Sequence, residues 1–211
     1  MVTSIRSGRV LATTRASGAR RRCSSIIIVH RVAIKVARIF NTYGPRMLEN
    51  DGRISNFIVQ ALKGEPITVY GDGSQTRSFC YIDDLIAGLE LLMGSAEEIT
   101  GPCNLGNPEE QPVKNITRVV LQQTGSRSRV EYHPLPPDDP KRRQPVISEA
   151  RKLIGWQPRV ALDKGLRATI DYFSLKISAE ESVMAPIAIQ CSSRASAKRR
   201  PSAAEQVNGI S

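Results

Sequence analysis

The sequence predicts an α/β or α+β fold on three observations. Short β-branched runs alternate with stretches whose apolar residues recur at helical spacing, glycines end those stretches, and 211 residues with 40% hydrophobic composition suffice for one core.

The elements follow in chain order. VAIKVARIF, residues 32–40, is apolar and β-branched enough for a buried strand, and NTYGPRM after it carries loop punctuation. Ile54, Phe57, Ile58, Ala61 and Leu62 mark one face of a helix that stops at Gly64-Glu65-Pro66. ITVY, residues 67–70, reads as a short strand closed by Gly71-Asp72-Gly73. SFCYI, residues 78–82, reads as another, after which Asp83 is placed to cap a helix with Leu85, Ile86, Leu89 and Leu92 on one face. CNL, residues 103–105, is strand-like and runs into the loop Gly106-Asn107-Pro108. Ile116, Val119 and Val120 mark a helix ended by Gly125; RVEYH is a strand, and Leu166, Ile170 and Phe173 belong to a closing helix.

The net charge of +10 belongs to the ends of the chain. Residues 1–31 carry seven arginines and no acid, residues 32–173 carry 18 Lys+Arg against 17 Asp+Glu, and residues 174–211 carry five against three. A nucleic-acid module would hold its charge on the folded part with aromatics to stack bases, and at 5% aromatic this chain does not. The composition therefore predicts no nucleic-acid partner. Residues 1–31 form a basic leader, with the composition of an organelle transit peptide but expected to lack structure. Residues 174–211 shift to Ser and Ala, with a KRRP cluster at 198–201, and read as a disordered tail. Residues 32–173 are the folded segment.

Four scattered cysteines, no C-x-x-C pair and two histidines predict neither a zinc site nor a disulfide framework, and reduced thiols in the cytoplasm. No apolar run approaches the roughly 20 residues of a membrane span.

Arginine carries the strongest hint of chemistry. Arg77 follows a glycine turn at the mouth of a strand, Arg53 lies in DGRISNF, and Arg142-Arg143 lie in DDPKRRQP. A guanidinium is a fixed fork of five donors that matches phosphate oxygens, so arginines gathered at junctions of loops and elements point to an anionic ligand. Any one of them alone is more often a solvated surface charge.

The stretches ARIFNTYGPRM, DGRISNFIVQALKGEPITVYGDGSQTRSFCYIDDLIAGL, NLGNPEE, DDPKRRQP and KLIGWQPRVALDKGL, in that order, resemble the C-terminal part of UDP-glucuronate decarboxylases. These are extended short-chain dehydrogenase/reductases. The resemblance implies the C-terminal portion of that α/β fold, with the Rossmann N-terminal half missing. It implies NAD as cofactor and a UDP-sugar as ligand: C4 of the glucuronate is oxidised, the β-keto acid loses carbon dioxide, and the 4-keto pentose is reduced to UDP-xylose. By resemblance, Asn41 meets the substrate and Thr42 and Arg53 lie on the cofactor side. Thr68, Val69 and Tyr70 begin a nucleotide-binding loop that ends at Arg77 on the diphosphate, and Arg143 is the catalytic residue that protonates the intermediate. It further implies a homodimer or docking on a full-length homologue. For location it implies the cytoplasm, the Golgi as in some members, or an organelle if the leader is a transit peptide.

The sequence also departs from that family. A Rossmann fingerprint brings glycines to a strand-to-helix turn so that backbone amides reach a pyrophosphate, and no glycines here have that spacing. The family's Tyr-x-x-x-Lys should precede VARIF, where the lysine lowers the tyrosine's pKa, but Arg20-Arg21-Arg22-Cys23-Ser24-Ser25 stand there. Tyr172 and Lys176 have the spacing on the wrong helix, and Val146 stands where the family has an acid. The expectation is a chain that keeps the sugar-nucleotide half and does not turn over; the alternative is a non-catalytic UDP-sugar-binding or partner-docking module. In either case VAIKVARIF is expected to lose its sheet neighbours and present an unpaired edge.

Overall fold

A computed structural model of the chain describes residues 2–6, 9–14, 33–49, 52–135 and 144–196. The chain divides into two compact units, Met1–Phe173 and Ser174–Ser211.

In the first unit, the sequence's strongest strand is the centre of a sheet. β1 (Val2–Arg6), β2 (Arg9–Thr14), β3 (Ala33–Ile39) and β8 (Cys103–Leu105) lie in the order β1-β2-β3-β8. β3 is parallel to both neighbours, pairing Val10 with Ile34 on one side and Ile39 with Leu105 on the other. Among the described residues β3 is therefore not an open edge, which corrects the expectation of lost neighbours. β1 and β2 come from the stretch read as an unstructured leader; Val10 and Leu11 with Thr13 and Thr14 are β-prone, and β3 offers them a ladder.

Ile34, Lys35, Val36 and Ala37 are all buried, as expected of a strand covered on both faces. Lys35 is the exception in chemistry. Its Nζ donates to the carbonyls of Ser95 (3.3 Å), Ala96 and Ile99 (2.7 Å) and to Ser95 Oγ (3.1 Å). Those groups directly follow α2 (Ile82–Gly94), so a buried cation meets the negative end of a helix.

Three short ladders build the rest. β5 (Ile67–Tyr70) is parallel to β10 (Val130–His133), β4 (Thr42–Tyr43) is parallel to β7 (Cys80–Tyr81), and β6 (Thr76–Ser78) is antiparallel to β9 (Glu110–Pro112). Around them pack α1 (Arg53–Lys63), α3 (Val113–Thr124), α4 (Ser148–Ile154) and the part of α5 (Leu162–Ser196) that precedes Ser174. Ala37, Leu85, Leu92, Leu105, Ala150 and Trp156 share one core cluster.

Several predicted features hold in place. Ile54, Phe57, Ile58 and Ala61 are buried on α1, which ends at Gly64 in the left-handed region (φ 71°), and α3 ends likewise at Gly125 (φ 65°). Others move. SFCYI is divided at Phe79 between β6 and β7. Asp83 is not a cap: Tyr81 holds that position, without a side-chain bond, and Asp83 lies inside the first turn. Ile86 is 45% exposed, off the buried face that Leu85 and Leu92 define. In the second unit α5 runs on to Ser196, where the sequence read as a tail; SLKISAEE is rich in helix formers, and Lys176 pairs with Glu180 one turn on (3.7 Å). Among the described residues no helix is long and apolar enough to cross a membrane.

Candidate functional site

The segment predicted to bind a nucleotide is a strand, a tight turn and a second strand, fixed from three sides. It begins at Thr68 on β5. The chain leaves α1 by a reversal in which Glu65 N–H donates to Gln60 O (2.9 Å), so that β5 runs back beside the last turns of the helix. Gln60 then reaches Thr68 with both ends of its carboxamide. Its Oε1 accepts from Thr68 N–H and its Nε2 donates to Thr68 Oγ1, each at 3.1 Å.

In a parallel ladder, alternate residues turn their N–H and C=O toward the neighbouring strand. Ile67 and Gly71 N–H donate to Arg129 and His133 carbonyls, both at 2.8 Å, which turns Thr68 and Tyr70 to the edge away from β10. Gln60 takes the Thr68 N–H, and Gln75 Nε2 donates to the Tyr70 carbonyl. Among the described residues this leaves the Thr68 carbonyl and the Tyr70 N–H side by side on that edge, an acceptor next to a donor. Val69, between them, is buried in the core; the Tyr70 ring is 46% exposed and lies 6.0 Å from that of His133.

The turn needs its glycines. Gly71 and Gly73 have φ of 77° and 73°, strained for any other residue. Asp72 Oδ1 accepts from Ser74 N–H (3.0 Å) and Oγ (2.6 Å), and these bonds hold its carboxyl below the ordinary value of 3.8. The carbonyls of Gly73 and Gln75 accept from Lys114 and Val113 N–H (3.0 and 3.1 Å), filling two of the open donors at the start of α3.

Arg77 lies on β6 opposite Gln111 of β9, only 3% exposed, with Nη1 donating to the Thr76 carbonyl (2.7 Å). Thr76 Oγ1 donates to Glu110 Oε1 (2.8 Å) on the same ladder. Asn41 joins this group: its Nδ2 donates to Ser78 O (3.4 Å) and its carbonyl accepts from Cys80 N–H (2.9 Å). Asn41, Thr68, Val69, Tyr70 and Arg77 thus belong to connected elements around one strand-turn-strand unit.

The two residues predicted on the cofactor side are placed differently. Thr42 pairs with Cys80 across β4 and β7, donates to the Phe40 carbonyl (3.0 Å), and lines a cleft of about 430 Å³ with Ile39, Phe40, Ile82 and Leu85. Tyr43 at the same cleft is buried, its OH bonded to Leu162 O (3.3 Å), and burial raises its pKa. Cys80 below it is pushed up to about 12, also by burial. Arg53 opens α1, half-buried, roughly 10 Å along the helix axis from Gln60. Arg143 lies outside the described residues, as do residues 136–142.

A roomier groove of about 900 Å³, between α3 and the start of α5, carries none of the predicted residues. Its cations, Arg118, Lys164 and Arg167, are exposed. The sequence reading missed Gln60 and Gln75, whose signal was only a glutamine eight residues before Thr68 and another five after Tyr70. Among the described residues no cluster of His, Cys, Asp or Glu could hold a metal ion.

Comparison with known proteins places this geometry. The model of the NAD dependent epimerase/dehydratase family matches residues 21–106. UDP-glucuronic acid decarboxylase 1 of Danio rerio is 49% identical over 156 residues, 74% of this chain and 37% of its own length. UDP-glucuronic acid decarboxylase 4 of Arabidopsis thaliana is 46% identical over 71% of this chain and 34% of its own. Among solved structures, UDP-glucuronic acid 4-epimerase from Bacillus cereus, in complex with UDP-glucuronic acid and NAD, superposes with a TM-score of 0.68 at 32% identity, over 72% of this chain and 49% of that one. The chain spans less than half the length of the curated relatives it matches.

Proposed function

We propose that the chain, whose residues 21–106 match the NAD dependent epimerase/dehydratase family, binds a UDP-sugar as the substrate-binding part of a UDP-glucuronate decarboxylase. The observation that carries this is the edge of β5. The Thr68 carbonyl and Tyr70 N–H, acceptor beside donor, match the N3–H and an adjacent carbonyl of uracil. The N3 and amino edge of cytosine has the same pattern; the relatives, which are named for UDP-glucuronic acid, favour uracil. From that edge the chain turns through Gly71–Gln75 to Arg77, whose buried guanidinium is suited to the diphosphate, because a charge-assisted bond is strongest where water is excluded. Asn41 then faces the sugar side, and Arg143, in the family's DDPKRR stretch, acts at the reacting pentose.

The family is NAD-dependent, and NAD would supply hydride exchange at C4 of the sugar. The described residues offer it the cleft at Thr42, but neither they nor the sequence provide a glycine turn for its diphosphate. What these residues do is bind and orient the sugar nucleotide. The free thiols of Cys80 and Cys103, both buried, go with a cytoplasmic location, and among the described residues the open ends of the sheet leave room for a second copy or a longer homologue.

The test is calorimetric titration of UDP and of UDP-glucuronate into the full chain. Saturable binding of both is expected, and absence of UDP binding would overturn the reading.

A further inference from the structure

We propose that Gln60, on α1, is the positioning residue that keeps the base-reading edge of β5 open in one polarity. The inference rests on the reading of that edge as the nucleotide site. A strand edge offers each outward residue's N–H and C=O together, and either can be satisfied by water, a side chain or a ligand. At Thr68 the choice is made by one carboxamide. Gln60 Oε1 accepts the N–H while Gln60 Nε2 donates to Oγ1, so the backbone donor that could compete for a base is consumed and the backbone carbonyl is presented. Two bonds from a planar group also fix the orientation of that residue, as a neighbouring strand would.

Gln60 can do this because of its own support. It sits on α1 between Val59 and Ala61, both buried, and its carbonyl is held by Glu65 N–H in the reversal that ends the helix. The glutamine is thus anchored to the core independently of β5. Gln75 performs the complementary act at Tyr70, occupying the carbonyl and leaving the N–H. The two glutamines convert a uniform edge into one acceptor and one donor. Gln60 touches no reacting atom in this scheme.

The experiment compares UDP, UMP and inorganic pyrophosphate binding to the full chain with Gln60→Leu and Gln60→Glu, alongside hydrogen exchange at the Thr68 amide. Leucine fills similar volume and makes neither bond; glutamate keeps an acceptor for the N–H. Gln60→Leu is expected to weaken UDP and UMP about tenfold, to leave pyrophosphate unchanged, and to speed exchange at Thr68. Gln60→Glu is expected to restore most of the affinity. Equal loss of all three ligands in Gln60→Leu would mean general structural damage and would overturn the positioning role, as would unchanged UDP affinity. If the wild type binds pyrophosphate as tightly as UDP, the base contributes nothing, and the underlying reading of β5 falls instead. A wild type that binds neither overturns both.

Discussion

Arg77 follows a glycine turn and is 3% exposed, with Nη1 donating to the Thr76 carbonyl. Its position after a glycine turn was legible; its burial was not, because an arginine in a three-residue strand looks the same whether it faces water or protein. Burial sharpens the expectation. A charge-assisted hydrogen bond in a dry site is worth roughly 1.5–3 kcal/mol, so Arg77→Ala should weaken UDP by about one to two orders of magnitude. Arg77→Lys keeps the charge but not the fork and should recover only part. Calorimetry on the three proteins checks this, and equal affinities would make Arg77 a structural cation. The acidic pair after it shows the opposite limit. Asp83 has the sequence position of a cap, yet Asp84 carries the structure, its Oδ2 accepting from Arg159 and Val160 N–H (3.0 and 2.8 Å) and its carbonyl from Trp156 Nε1 (2.8 Å). Partners more than seventy residues away leave no local trace. Asp72, by contrast, is bonded locally, and its depressed pKa has a definite sign. Its contribution to the turn is fully present above pH 3.8 and is lost as pH falls through the lower folded value. The Ser74 amide resonance should hold its position down to about pH 4 and move only below it; an amide indifferent to strong acid would remove Asp72 from the turn.

At the scale of elements, the helices were legible where a stripe of apolar residues met a glycine stop, as in α1 and α3. The strands β6 and β9 and the helix α4 were less so. Two or three residues of strand carry no period, and SEARKLI has too few apolar positions to show a face. Glycines inside helices carry a different message. Gly88 in α2 and Gly165 in α5 look like weak points by propensity, since alanine would gain roughly 1 kcal/mol in a helix interior. The packing reverses that. A Cβ at Gly165 would lie 2.3 Å from the Tyr43 hydroxyl, and one at Gly88 would lie 2.8 Å from Trp156 Nε1, both on rigid, buried rings. Overpacking costs about 1–3 kcal/mol, so Gly165→Ala and Gly88→Ala should each lower the denaturation midpoint. A Cβ at Gly94, at the end of α2, would meet nothing within 4 Å among the described residues, and Gly94→Ala should be neutral or slightly stabilising. Urea denaturation of the three variants tests the contrast, which fails if all three move the midpoint together.

For the whole molecule, the question is whether binding extends to turnover. Decarboxylation of a glucuronate needs C4 to be oxidised first, because only the β-keto acid places a carbonyl where it can take up the electrons left when carbon dioxide departs. That oxidation requires a hydride acceptor held by its diphosphate and a base to take the hydroxyl proton. The described residues supply the outer edge of β5, the buried guanidinium of Arg77 and a cleft at Thr42. The sequence supplies no glycine fingerprint and, ahead of β3, no Tyr-x-x-x-Lys. The pair with that spacing, Tyr172 and Lys176, lies on the closing helix α5 instead, where the Lys176 ammonium pairs with Glu180 (3.7 Å). We therefore expect the purified chain, incubated with UDP-glucuronate and NAD, to release no carbon dioxide above the blank, and Tyr172→Phe to change nothing. Chromatography for UDP-xylose together with trapped carbon dioxide is the measurement. Sustained formation of UDP-xylose would show that residues outside those described complete the site, and a loss of that activity in Tyr172→Phe would make the closing helix its base.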